Sequence, residues 1–330
     1  MSSIRWCGGS TNESDTLPEK ECCNRNERDC SNLYYVEPFG EFSMVVDGLF
    51  PVRGGYLFVG VFFFYSGYGL KKSVRNNPHY LDGFLKKKIA DIYFPFLIAE
   101  TCHTLLTAYY NNDYNGLFLR CVGFQLSNSI LWYVVEILAM YILFYLFEKK
   151  HIPMIGYGIA WIIFSVFASI TDLGSWWYVS SPCFIFGLVC GEYEEKIKKI
   201  KGKRRKIGIF CIFLLTDFLH RMISEYKIGI YGIPSTYICV ALMILAALLF
   251  VAAMLTIVEG RASQFRLSEI IGNNSYYIYL WHGFFICLYS HYIRDSKLVA
   301  ICVVTTTILF SLFYGQIKES ISYKKCRDKG

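Results

Sequence analysis

The chain has 330 residues, of which 54% are hydrophobic and 18% are charged, and its formal net charge is +7. A soluble globular domain usually has nearer a quarter of charged residues, so the composition argues against one. The positive charge does not require nucleic acid, because the basic run at 196–206 is most simply a cytoplasmic loop beside anionic lipid.

The first 53 residues form a polar tail, which we expect to be disordered or to result from a wrong translation start. No apolar signal-peptide core follows Met1. The tail contains four cysteines, but their spacing fits no standard zinc pattern, so no metal site is predicted there.

After this tail, the apolar residues come in nine blocks, most of them about 17 to 23 residues long. A block of that length can cross about 30 Å of hydrocarbon as a helix. The blocks are 54–70, 92–110, 130–147, 152–171, 175–191, 207–220, 236–258, 274–292 and 298–314. The sequence therefore predicts an all-α fold, a polytopic transmembrane helical bundle of about nine spans.

The loops between these blocks differ sharply in charge. Counted alternately, one set holds 23 Lys and Arg and the other holds 5. The positive-inside rule places the basic set in the cytoplasm, together with a basic tail at 316–330. We therefore expect a multi-pass plasma-membrane protein with a cytoplasmic C-terminus. An odd span count without an export signal suggests that a first span is missing.

Four stretches resemble a known family when they are taken in order. They read VGVFFFYSGYGL at 59–70, FLKKKIADIYFPF at 84–96, LWYVVEILAMYILFYLF at 131–147 and IGNNSYYIYLWHG at 271–283. The order is similar to that of the acyltransferase 3 family, ten-span membrane enzymes that O-acylate cell-surface glycans. The C-terminal signature of that family is filled by Gly272, Ser275, Tyr276, Tyr279, Leu280 and His282, and Trp132 and Tyr141 keep its nine-residue spacing. The resemblance assigns 54–315 to such a transmembrane domain.

The resemblance implies transfer of an acetyl or other short acyl group from cytoplasmic acyl-CoA to a hydroxyl of an exported or cell-surface glycan. The expected partners are the lipid bilayer, acyl-CoA and the glycan, without a bound cofactor or nucleic acid. No residue matches the family's first-span catalytic histidine, and Asp91 stands where many members have Arg. The chain is then either inactive or uses another base. The alternative is a transporter or flippase-like carrier with a polar intramembrane path.

Ionisable residues within the predicted spans are the candidate catalytic groups, since each costs roughly 2.5–3.5 kcal/mol at the bilayer centre. His282 falls near mid-membrane, and Glu100 and His103 share one face of the second span in its outer half. We expect base chemistry from His103 with Glu100, or from His282. The structural alternatives are a helix–helix polar clamp for the pair and a packed histidine for His282.

Candidate substrate-binding residues lie on the cytoplasmic and aromatic parts of the same stretches. The predicted set is Lys86, Lys87, Lys88, Trp132, Tyr133, Glu136 and Trp281. The lysines would hold donor phosphates, or else serve as positive-inside anchors. The aromatic residues and Glu136 would contact the substrates, or else pack the bundle. Glycines such as Gly60 favour close helix contact over a phosphate site.

Overall fold

The computed structural model describes residues 55–171, 173–195, 203–227, 229, 234–258 and 272–327. Within these ranges every regular element is a helix, and no strand is present. The longer helices are α1 (Gly55–Asn76), α3 (Phe94–Asn111), α5 (Trp132–Lys149), α6 (Ile155–Ile170), α8 (Pro182–Glu192), α9 (Lys203–Tyr226), α10 (Ser235–Val258), α11 (Ser275–Tyr292) and α12 (Ser296–Arg327). The shorter elements are α2 (Phe84–Lys88), a π turn (Ile89–Tyr93), α4 (Leu117–Cys121), a 3₁₀ turn (Ser129–Leu131) and α7 (Trp176–Val179). The predicted all-α fold is confirmed, whereas the polar tail at 1–53 lies outside the described residues.

Four helical segments are long and apolar enough to cross a membrane. They are Phe84–Asn111, Lys206–Tyr226, Ser235–Thr256 and Lys297–Gln316. Each of the nine apolar blocks lies largely on helix, so a membrane bundle is confirmed, while the count of about nine spans stays a prediction.

The fifth block, 175–191, is not one continuous helix. It is divided into α7 and α8, and α8 begins at Pro182. Proline has no N–H to donate to the preceding turn and suits the first position of a new helix, which explains the break.

Helices α1 and α8 pack with their backbones in contact. A Cβ atom added to Gly67 would collide with the carbonyl of Phe184, and one added to Gly187 would collide with the carbonyl of Phe64. A Cβ on Gly60 would lie 3.1 Å from the Cys183 sulfur. Small residues allow this approach in membrane helices, as the sequence predicted for Gly60.

Charged groups join the ends of these helices on the predicted cytoplasmic side. Lys71 Nζ lies 2.8 Å from Glu148 of α5 and 3.3 Å from Glu192 of α8. Arg75 donates to the carbonyl of Gly191 at 2.8 Å, which satisfies a backbone acceptor near the end of α8. The cluster fixes the ends of three helices relative to one another.

A π turn interrupts the second predicted span between α2 and α3. Pro95, the second residue of α3, cannot donate a hydrogen bond, and in a regular α-helix its ring would press on the carbonyl four residues back. Widening the helix over 89–93 relieves that clash. Such turns are frequent at functional sites because they release backbone carbonyls for other partners.

Candidate functional site

A cavity of about 300 Å³ lies where α1, the π turn, α5 and the start of α11 meet. Its lining is aromatic and hydroxyl-rich, with one carboxylate, at Asp91. The lining residues are Phe62, Ser66, Asp91, Ile92, Tyr133, Ile137, Tyr141, Asn273, Ser275, Tyr276, Tyr277 and Tyr279. Every one of them belongs to one of the four stretches quoted above, so the fold brings those stretches together around one space.

Two tyrosines of α11 anchor the walls of this cavity. Tyr276 donates its hydroxyl hydrogen to the carbonyl of Ile92 in the π turn at 2.7 Å. Tyr279 donates to the carbonyl of Ile130 in the 3₁₀ turn. Both acceptors lie in irregular turns, where backbone carbonyls need partners from outside the helix.

An edge-to-face aromatic chain supports the same wall. The Tyr133 ring lies 5.3 Å from the Tyr279 ring and 4.9 Å from the Phe63 ring, at interplanar angles of 79° and 73°. Such pairs stabilise packing by about 0.5–1.5 kcal/mol beyond the area they bury. Of the predicted substrate-binding residues, Tyr133 is therefore placed in the cavity wall.

The three predicted lysines differ in their surroundings. Lys86 and Lys87 are exposed, whereas Lys88 is half-buried. The ammonium nitrogen of Lys88 lies 4.8 Å from the centre of the Tyr141 ring, which lines the cavity. The structure thus places Lys88 against the cavity wall and leaves its two neighbours on the surface.

The remaining predicted substrate contacts lie away from the cavity lining. Trp132 is half-buried with its ring 6.0 Å from Trp177, and Trp281 packs 4.6 Å from Phe310 of α12. Glu136 is 3% exposed, deep in the bundle beside the Ser181 hydroxyl.

Glu100 is fully buried and binds backbone. Its Oε1 accepts the N–H of Ser127 at 2.5 Å and that of Asn128 at 3.4 Å. His103, one turn further along α3, is 7% exposed. No ion pair or hydrogen bond joins Glu100 to His103 among the described residues. The structure therefore places the two on one face without pairing them.

His282 lies one side chain away from the cavity. Its Nδ1 is hydrogen-bonded to the carbonyl of Tyr279 at 2.6 Å, and its ring centre is 5.5 Å from that of Tyr279. The neighbouring Gly283 has no side chain, and the carboxamide of Asn128 fills that space. Asn128, whose N–H binds Glu100, thus packs against α11 at the residue next to His282.

Sequence reasoning missed several of these contacts. Phe62 and Ser66 belong to the aromatic run that ends in Ser-Gly-Tyr, but that run gave no reason to place them in a site, and Ile137 carried no motif signal. Asn128 carried no signal at all, because its importance comes from a backbone amide and a close helix contact that only the fold creates. Among the described residues, no group of three or more His, Cys, Asp or Glu could hold a metal ion.

Comparison with known proteins gives one finding. A family model described as an acyltransferase domain, of the acyltransferase 3 type, matches residues 30–315. No curated protein and no solved structure matches the chain.

Proposed function

Since the chain belongs to the acyltransferase 3 family, we propose that it moves an acetyl or other short acyl group from cytoplasmic acyl-CoA to a hydroxyl of an exported or cell-surface glycan. The proposal includes a plasma-membrane location with the C-terminus in the cytoplasm.

The observation that carries the proposal is the composition of the cavity. All of its lining residues come from the four family-like stretches, although those stretches are spread from 59 to 283 along the chain. Binding pockets for small ligands commonly begin at about 300 Å³, which suits a short acyl group with the thioester end of its carrier.

The charges around the cavity support a donor that enters from the cytoplasmic side. Lys88 lies against the Tyr141 wall, and Lys86 and Lys87, the two residues before it, are exposed. Lysines bind phosphate as point charges, so these three would hold the phosphates of CoA outside the cavity. Asp91 in the lining disfavours phosphate inside the cavity, which leaves room for the uncharged acyl end.

The transfer needs a base for the acceptor hydroxyl. In the balanced step, the base removes the hydroxyl proton, the oxygen attacks the thioester carbonyl, the C–S bond breaks, and the thiolate of CoA leaves and is protonated. His103 and His282 are the candidates among the described residues, because an imidazole can accept this proton near neutral pH. His282 contacts a cavity-lining tyrosine, and His103 falls in the predicted outer half of the second span, which the proposed topology puts nearer the acceptor.

The test uses the purified chain in lipid vesicles, acetyl-CoA labelled in its acetyl group, and envelope glycan from cells that lack the protein. We expect alkali-labile label in the glycan, with one free CoA thiol released for each ester formed. Vesicles that carry the Tyr133→Ala variant serve as the control and should give little ester. Glycan crossing the vesicle membrane without ester formation would instead support a carrier, and neither ester nor movement would contradict both functions.

A further inference from the structure

The buried Glu100 and the two anchoring tyrosines belong to one closed path of contacts. Glu100 accepts the N–H of Asn128, and Asn128 Oδ1 in turn accepts the N–H of Ile130 at 3.2 Å. The carbonyl of Ile130 accepts the hydroxyl of Tyr279. The path thus runs from α3 through the 3₁₀ turn to α11.

The path returns to its starting helix through the second tyrosine. Tyr276 lies three residues before Tyr279 on the same face of α11, and it donates to Ile92. Ile92 and Glu100 lie eight residues apart in the continuous helical segment Phe84–Asn111, about 12 Å at 1.5 Å per residue. The helical segment Phe84–Asn111, the 3₁₀ turn and α11 are therefore joined in a closed ring of contacts.

We infer that this ring acts as a single positioning frame: Tyr276, Tyr279 and Glu100 together hold the π turn and the 3₁₀ turn at the spacing that shapes the cavity. In this frame Glu100 is a positioning residue, since its Oε1 holds two backbone amides of the turn. Ile92, Tyr276 and Tyr279 also line the cavity, so displacement of the frame alters the walls directly.

The frame satisfies backbone groups that the irregular turns leave without helical partners. A buried donor or acceptor without a partner costs about 1–3 kcal/mol, which favours the closed arrangement. Thr104 adds a parallel tie, since its hydroxyl donates to the Ser127 hydroxyl at 3.0 Å. Hydrogen-bond partners that share one turn are expected to respond together when one of them is removed.

Amide hydrogen exchange, read by mass spectrometry on the purified protein in lipid nanodiscs, tests the frame without relying on activity. Tyr276→Phe and Tyr279→Phe each keep the aromatic ring of the side chain and remove its hydroxyl group. We expect each to speed exchange roughly two- to tenfold at both 89–97 and 127–134, because losing a neutral hydrogen bond shifts an equilibrium by about that factor. Tyr289→Phe, on the same helix with its ring on Phe285, is the matched control and should change neither segment.

Two substitutions of Glu100 test the frame independently of the tyrosine variants. Glu100→Gln keeps a side-chain oxygen that can accept the two amides, so exchange at 127–134 should stay near that of the parent chain. Glu100→Ala removes the acceptor and should speed exchange at both turns. Faster exchange only at the turn nearest each substitution, or no change, would overturn the single frame, and the two tyrosine variants decide this even if the alanine variant does not fold.

The role of the frame in donor binding rests on the proposed function and is measured separately. The same variants are titrated with acetyl-CoA, and Tyr276→Phe and Tyr279→Phe should weaken binding roughly two- to tenfold while Tyr289→Phe does not. Equal binding by all variants would overturn the positioning role. Absence of binding by the parent chain would contradict the proposed function, whereas the exchange pattern still decides whether the frame exists.

Discussion

The ammonium nitrogen of Lys88 lies 4.8 Å from the centre of the Tyr141 ring and 5.6 Å from that of Phe84. Cation–π contacts stabilise by about 0.5–2 kcal/mol, depending on how far they are desolvated. This contact fixes the charge of Lys88 beside the cavity, while Lys86 and Lys87 remain in solvent.

Replacing Lys88 is therefore expected to impair donor binding more than replacing its neighbours. Lys88→Gln should raise the KM for acetyl-CoA roughly tenfold, because a charge-assisted hydrogen bond to phosphate contributes about 1.5–3 kcal/mol. Lys86→Gln should change KM less than threefold, since exposed charges interact weakly. Steady-state kinetics on the vesicle preparation measures both, and equal effects of the two variants would contradict a special place for Lys88.

Single replacement of His103 and His282, the two candidate histidines, should identify the base. Loss of a general base lowers kcat by roughly 10²- to 10⁴-fold, so either His103→Ala or His282→Ala should reduce glycan O-acylation by that factor. His79→Ala is the control, because the His79 side chain is 86% exposed on a loop that is predicted to be cytoplasmic and pairs with Asp82. Full activity in both the His103→Ala and the His282→Ala variant would exclude these histidines as the base.

The close contact between α1 and α8 makes a clear prediction about stability. Gly67→Ala should destabilise the protein by roughly 1–3 kcal/mol or more, because the new methyl group meets the backbone at Phe184, which cannot move aside as a side chain can. Gly69→Ala, two residues further on the same helix, meets nothing within 4 Å and should be neutral or slightly stabilising. Thermal unfolding in detergent compares the two, and similar midpoints would contradict the packing described for this interface.

The parts of the structure that follow from side-chain chemistry alone were predictable. The apolar blocks predicted the helices, because a segment in hydrocarbon must pair its own backbone N–H and C=O groups. Only a helix does so within one segment. The four stretches that line the cavity were recognisable because their aromatic and hydroxyl residues keep a family order. Tyr133 was accordingly singled out by the sequence and lines the cavity, while its contact with substrate stays a prediction.

What depends on backbone geometry was not predictable. The carboxylate of Glu100 was expected beside an imidazole, but it binds amides of a turn 27 and 28 residues away along the chain. No residue pattern in 122–131 predicts that these backbone N–H groups bind a carboxylate, because every residue except proline has a backbone N–H. For the same reason Asn128 became visible only in the fold, whereas the division of the fifth block has a sequence signal in Pro182.

The π turn has a further consequence for how this helix can change. A π turn holds one extra residue in an otherwise α-helical segment, so deleting one residue from 89–93 would restore regular winding while Lys88 and Glu100 stayed close to their present faces. The change would fall on the backbone between them, where the Ile92 carbonyl accepts the Tyr276 hydroxyl. A deletion one residue long in this turn should therefore remove the Ile92–Tyr276 contact and press the Pro95 ring against the carbonyl four residues before it.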